Sequence, residues 1–305
     1  MLRYLLRSLL LGLLVCLTVL VISFALARAG GNLAINLAGP DASPEAIAKI
    51  EHQLGLDRPL PVQFLDWANR AAHGDLGESY LFHEKVSHLI AEHVPVTLTL
   101  GVLGIGIALL VALPLGILAA LHEGGPADML IGSVALAGQA LPSFWLGLML
   151  IIWFGVDLGW LPISGVESWT GYIMPGFVLA FVAVPAVLRL TRSGMVDAMR
   201  ADYVRTARAK GLSRVSIVLK HAFRNAAMPV VAVSAVQLGF ILGGSVVVEV
   251  VFNVRGVGYL AWESIQKGDF PVIQAVVLLF AIIFVVLTTL ADLLGAVLDP
   301  RLRSG

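Results

Sequence analysis

Long apolar runs separated by shorter polar stretches set the layout of this chain. Between Arg7 and Arg28 lie 20 uncharged residues, enough at 1.5 Å per residue to cross a hydrocarbon core of about 30 Å. The alternative for this run is a cleaved signal peptide, with Arg3 and Arg7 as its basic head and Ala25-Leu26-Ala27 as a cleavage box. Signal-peptide apolar cores span roughly 7–15 residues, so a retained membrane helix is expected. Further uncharged runs at 94–121, 129–156, 168–188, 225–248 and 270–291 bring the predicted membrane helices to six, with both termini on one side.

Residues 29–93, between the first two runs, are polar and predict a helical insertion outside the membrane. Ser43-Pro44-Glu45 supplies an N-cap, a proline at the first helical position and an early acid, and Gly55 stands where that helix should stop. A second helix is expected over 61–72, ending at Gly74, and a third over 84–92. The insertion carries nine acids and five histidines: His52, His73, His83, His88 and His93. The last three recur every five residues, a spacing that does not stack them on one helical face. Scattered surface histidines are expected, and no metal site. The chain thus divides into 1–28 (N-terminus and first helix), 29–93 (insertion) and 94–305 (membrane core).

Composition agrees with the pattern. The chain of 305 residues is 58% hydrophobic and 13% charged, with mean hydropathy +0.91, where a soluble domain carries about a quarter charged residues. An integral membrane protein is the class, all-α and polytopic. Cys16 is the single cysteine, which excludes a disulfide framework and a cysteine-based metal site.

Net charge is zero, but its distribution is uneven. The stretch 189–229 holds nine Lys/Arg against Asp197 and Asp202. Each basic residue costs roughly 2.5–3.5 kcal/mol at a bilayer centre, so this stretch cannot span. It falls on the same side as Arg3, Arg7, Arg301 and Arg303, which the positive-inside rule makes cytoplasmic. The turn 122–128 should share that side but has no Lys or Arg, and is neutral for the assignment. The opposite side carries 29–93, a loop 157–167 without Lys/Arg, and 253–269 with only Arg255 and Lys267.

Several features within the membrane bear on a pathway. Pro114, Pro142, Pro175 and Pro185 interrupt three helices, with Gln139 and Ser143 near Pro142. Such breaks either line a cavity or only kink packed helices. Ala235, Gly239 and Gly243 recur at four-residue spacing beside Gly244, with Gln237 on the same helix. Small residues so spaced allow close helix approach, either inside the bundle or at the centre of a two-subunit pore. Glu249, at the outer end of that helix, is expected at a pathway entrance or paired with Arg255, and Asp292 lies near the inner end of the last helix. No acid sits at mid-depth with a cationic partner, which weighs against a stand-alone proton- or sodium-driven carrier.

The basic stretch has the signals of ordered structure. Residues 197–210 lack Gly and Pro and predict a helix, with Gly211 as its C′ stop. Ser213 can cap a second helix, stapled by Leu212 and Ile217, that carries Val215, Val218, Leu219 and Phe223 among Lys220, His221 and Arg224 and leads to Pro229. A helix–glycine–helix unit of this kind suits docking of a protein partner. Anionic lipid is the alternative. Nucleic acid is disfavoured, because Tyr203 and Phe223 are the only aromatics there.

The run DYVRTARAKGL followed by HAFRNAAMPVV resembles the EAA loop of binding-protein-dependent ABC importer permeases, in particular the dipeptide/oligopeptide/nickel group and its first dipeptide permease subunit. In that family the motif reads EAA-xxx-G with a proline 18 residues after the glycine. Here Arg205, Thr206 and Ala207 stand at the EAA positions, and Gly211 and Pro229 match the glycine and proline. SPEAIAKIEHQLGLDRPLPVQF, GDLGESY, LPSFWLGL, GGSVVVEVVF, RGVGYL and DLLGAVLDPRLR match further family blocks in order.

The resemblance implies a type I permease fold in a bacterial inner membrane. The loop at about 191–228 would then be a coupling helix seated on separate or fused ATPase subunits, which hold ATP and Mg, and this chain would bind no cofactor. Its coupling residues would be Asp202, Tyr203, Arg205, Thr206, Ala207, Arg208, Lys210, Gly211, Leu212, His221, Arg224, Asn225 and Pro229. A related second permease would complete the pore, and an extracytoplasmic binding protein would deliver dipeptides or short oligopeptides, with nickel, glutathione or haem as alternative cargo. No G-x-x-x-x-G-K-[ST] phosphate loop occurs in the chain, so it is expected to be a pore subunit and not an enzyme.

Overall fold

The computed structural model describes residues 2–29, 33–38, 42–53 and 55–298. Arg301 and Arg303 lie outside the described residues. Those described form thirteen α-helices with short π and 3-10 segments and no named strand. Four helices are long and apolar enough to cross a membrane: α5 (Val86–Leu121), α8 (Ile173–Arg200) with its 3-10 lead-in (Trp169–Tyr172), α11 (Phe223–Val251) with its lead-in from Arg214, and α13 (Phe270–Leu298). A bent pair, α6 (Pro126–Gln139) and α7 (Ser143–Leu150) extended by a π segment (Ile151–Asp157), makes a fifth if counted as one span. Helix α1 (Leu2–Ala29) runs 28 residues, with the shorter apolar stretch Leu10–Ala25.

The expected single span over 129–156 is therefore broken. Its halves meet at 97°, because Pro142 is extended (φ −63°, ψ 133°) and has no N–H to continue the helical ladder. Pro114, Pro185 and Pro229, by contrast, sit inside continuous helices, and Pro175 falls in the first turn of α8, where its missing N–H has no intrahelical partner.

At the centre, α5 lies along α8. The contact is close because Gly116 leaves room: a Cβ there would stand 2.7 Å from Thr191 Cβ and 3.0 Å from the Leu188 carbonyl. Helix α11 packs on α8 and α13, and α1 packs on α13. The main core joins Leu100, Ala108, Leu150, Met174, Val178, Leu179, Ile241, Val248 and Phe252. Exposed large apolar residues such as Leu110, Val134 and Phe240 fit a surface that faces lipid.

The insertion forms α2 (Leu33–Ala38), α3 (Pro44–Gln53) and α4 (Leu60–Ala72). Ser43 caps α3 as expected, its Oγ accepting from the Ala46 N–H at 3.3 Å. The predicted third helix over 84–92 is not a separate element. It is the first part of α5, which continues through Pro95. Val86, Leu89 and Ile90 bury against Val257, Leu260, Val272 and Val276, and this packing outweighs the local cost of the proline, about 3 kcal/mol.

A second correction concerns the basic stretch. The helix expected over 197–210 is two elements. Helix α8 runs past its apolar part to Arg200, the chain turns at Ala201 (ψ 150°), and α9 covers Asp202–Ala209. Met195, Val196 and Ala198 are buried against Ala120 and its partly buried neighbours Ile117 and Leu121, so tertiary contact carries the helix beyond where hydropathy alone ends it.

Candidate functional site

The conspicuous polar feature at one end of the bundle is the unit built by α9, Gly211 and the start of the long fifth span. Helix α9 buries Val204 and Ala207 in a cluster with Met195, Val196, Ala198, Ile217, Val218, Ala222 and Ala226. Its other residues, Asp202, Tyr203, Arg205, Thr206 and Arg208, face outward. Gly211 takes φ +74° with no atom within 4 Å of where a Cβ would stand, so the left-handed backbone and not crowding selects glycine there. The Leu212 N–H donates to the Ala207 carbonyl at 3.3 Å across this turn.

After the turn, Ser213 Oγ accepts from the Ser216 N–H at 3.3 Å, as its sequence position predicts. Helix α10 (Arg214–Ser216) passes into a π segment (Ile217–Ala222) and then α11. Lys210, Leu212, Val215, Leu219, Arg224 and Asn225 are exposed, and His221 is half-buried. The surface therefore combines four exposed apolar or aromatic side chains (Tyr203, Leu212, Val215, Leu219) with six cations (Arg205, Arg208, Lys210, Arg214, Lys220, Arg224) on a well-seated base. Pro229 lies within α11 and is exposed.

Two arginines of the basic stretch are held by the turn that the charge count left neutral. Arg192 grips Asp128 at two points, Nε to Oδ1 at 2.5 Å and Nη2 to Oδ2 at 2.6 Å, and the Gly124 N–H donates to Asp128 Oδ2 at 2.9 Å. Arg200 reaches Glu123 Oε1 at 2.8 Å. The turn 122–128 offers no cation because it supplies carboxylates to α8. Pairing is a matter of spatial proximity across 64 residues, and no local pattern marks it.

At the opposite end, Glu249 is fully buried. Its carboxylate accepts from Thr97 Oγ1 at 2.8 Å and from the Tyr259 N–H at 2.8 Å, and lies 2.9 Å from Ser245 Oγ. Thr97 Oγ1 in turn accepts from the Val257 N–H at 2.8 Å. The expected pairing with Arg255 does not form: Arg255 is exposed, and the Glu249 oxygens are occupied. The carboxylate instead ties α12 (Val257–Lys267) to α5 and α11, filling the N-terminal turn of α12, where unpaired N–H groups favour an anion. The presence of Gly256 and Gly258 keeps this space open, since a Cβ at either would lie within 3.0 Å of Glu249 Oε2.

The remaining pathway candidates do not gather around one space. Gln139 is exposed and Ser143 half-buried, at the two sides of the α6–α7 bend. Gly239 is buried against Phe284 of α13, whereas Gly243 and Gly244 have nothing within 4 Å of a Cβ position. The small-residue stripe therefore divides, one part used in internal packing and one part open. Gln237 is half-buried.

The insertion is anchored by a cluster the sequence did not single out. Ser79 Oγ donates to Asp269 Oδ2 in a short hydrogen bond, and the Tyr80 and Leu81 N–H groups donate to the same carboxylate at 3.3 and 3.2 Å. The GDLGESY segment thus clasps the residue just before α13. The histidines of the insertion are dispersed. His52 pairs with Asp57 at 2.9 Å, and that hydrogen bond holds the Asp57 carboxyl below the usual carboxylate range. His73 and His93 donate to the Asn69 and Leu89 carbonyls, and His88 lies between Glu84 and Glu92. Among the described residues no group of three or more potential metal ligands converges.

Residues 112–304 match the model of the binding-protein-dependent transport system inner membrane component, and residues 1–101 match that of the corresponding N-terminal region. The chain is 42% identical over 304 residues to the glutathione transport system permease protein GsiC of Salmonella typhimurium, covering 99% of each. It is 40% identical to the GsiC of Escherichia coli K12 over the same length and coverage. Among solved structures, an inward-facing MetNI methionine ABC transporter matches with TM-score 0.59 at 18% identity, over 69% of this chain and 96% of that one. An amino acid ABC transporter crystallised with histidines matches with TM-score 0.52 at 16% identity, over 68% and 94%.

Proposed function

The chain belongs to the family of binding-protein-dependent transport system inner membrane components, and on that premise we propose that it forms half of the membrane pathway of an ATP-driven importer for short peptides. Relatives named as glutathione permeases, alike over their full length, favour a tripeptide such as glutathione over dipeptides as the first cargo to test. The fold is that of type I importer permeases.

The observation that carries the reading is the α9 unit: a short helix with an exposed cationic and apolar face, seated through Val204 and Ala207 on α8 and on the lead-in to α11. A separate ATPase subunit gripping that face would move α8 and the fifth span together. The Arg192–Asp128 pair would pass the motion to the bent α6–α7 pair, and Glu249 would pass it through α11 to α5 and α12. ATP and Mg belong to the ATPase in this scheme. The α9 end and both termini face the cytoplasm. The insertion and α12 face outward, towards a binding protein, and a second, related permease completes the pore.

Co-expression with candidate sister permease and ATPase chains, followed by purification and reconstitution with a binding protein, tests this. The expected result is stoichiometric co-purification and ATP-dependent uptake of glutathione. Transport by this chain alone, without an ATPase, would overturn the reading.

A further inference from the structure

Gln63 and Gln274 come from distant parts of the chain and meet in the wall of one outer cavity. The cavity encloses about 720 Å³ between the end of α1, helices α3 and α4, the GDLGESY segment and the start of α13. Gln63 is 8% exposed and Gln274 6%. Gln63 Nε2 donates to the Leu56 and Arg58 carbonyls at 2.9 and 2.8 Å, which fixes the amide, and its Oε1 has no partner. The Gln274 amide makes no hydrogen bond among the described residues. Gln63 Oε1 is sealed off from solvent, whereas the Gln274 amide lines the cavity on a side chain more than nine-tenths buried and has no protein partner there, an uncommon state for a polar group so placed.

Phe24 and Trp67 supply an aromatic surface beside them, with ring centroids 6.4 Å apart. The rim is charged with both signs. Arg58 and Asp66 neutralise each other at 3.2 Å, whereas Arg70 and Glu78 are in no ion pair among the described residues. The cavity thus offers a cation, a carboxylate, one unpartnered amide and an aromatic face within a volume typical of small-ligand sites, roughly 300–1,000 Å³.

We propose that this cavity binds a short peptide with free termini, outside the membrane pathway. Arg70 takes the carboxylate, Glu78 the ammonium, and the Gln274 amide pairs with a peptide group, while Gln63 holds the wall behind it. The inference rests on the peptide-importer reading for the source of its ligand.

Calorimetric titration of trialanine into the complex of permeases and ATPase in nanodiscs, without the binding protein, tests the site. Saturable binding is expected, weakened about tenfold or more by Gln274→Leu, which disturbs no internal hydrogen bond, by Arg70→Glu, and by using N-acetylated, C-amidated trialanine. Absence of binding at millimolar peptide, as when water alone fills the cavity, overturns the proposal. Unchanged affinity in both variants overturns it too, and so does equal binding of the capped peptide, which would point to a loop of the binding protein. Uptake measured on the same preparations separates the two readings. Peptide uptake without this binding rejects the site alone, and binding without uptake rejects peptide import alone.

Discussion

Arg192 closes on Asp128 through two nitrogen–oxygen contacts of 2.5 and 2.6 Å, fastening the α5–α6 turn to the extension of α8. Asp128 is nearly buried, with 9% of its side chain exposed, against 34% for Arg192. Removing one partner strands a charge in a poorly solvated place, which typically costs about 3–5 kcal/mol. Arg192→Met is therefore expected to lower the thermal stability of the purified chain markedly. Glu123→Gln, in the more exposed pair with Arg200, should cost less than about 1 kcal/mol. Equal melting shifts for the two variants would contradict the distinction.

Glu249 serves as a clamp across three helices. Glu249→Gln retains one acceptor but turns an NH2 group towards groups that donate, and Thr97→Val removes the acceptor of the Val257 N–H. Each is expected to destabilise the start of α12 by roughly 1–3 kcal/mol. Hydrogen exchange of the Val257, Tyr259 and Leu260 amides should accelerate in both variants. Unchanged exchange would remove Glu249 from this role.

Gly211 allows backbone strain to be separated from bulk. With φ +74° and open space around it, asparagine should be tolerated and valine should not, since a β-branched residue is poorly accommodated in that region. Gly211→Val is expected to cut ATP-dependent uptake tenfold or more, with normal membrane levels, while Gly211→Asn keeps most of it. An equal fall in uptake for both variants would point instead to a side chain at this position obstructing the ATPase.

Ser79 and Asp269 hold the GDLGESY segment in place. Ser79→Ala removes a donor to Asp269 and the acceptor of the Phe82 N–H. The loop 77–85 should then be cut faster than in wild type by a protease added to the purified protein. Insertion helices α3 and α4 should keep their helicity by circular dichroism, because Ser43 and the Phe24–Phe64–Trp67 ring contacts are untouched.

The membrane class, the bundle's apolar runs, the insertion helix starting after Ser43, the Gly211 turn and the Ser213 cap were all legible in the sequence. Each depends on local chemistry: hydropathy over a span, a short polar side chain at an N-cap, or a residue without Cβ in a left-handed turn. The family blocks added the permease fold, because many short motifs in fixed order are far more specific than one.

Tertiary packing decided the rest. Helix α5 runs unbroken through Pro95 because its N-terminal end buries against α12 and α13. Helix α8 extends to Arg200 because its polar end finds both a hydrophobic seat and two carboxylates. Glu249 is enclosed and not at an open mouth because the fold brings Thr97 and the Tyr259 N–H to it. These contacts join residues far apart in the chain, and a one-dimensional pattern records what each residue can do but not which distant partner comes within 3 Å of it.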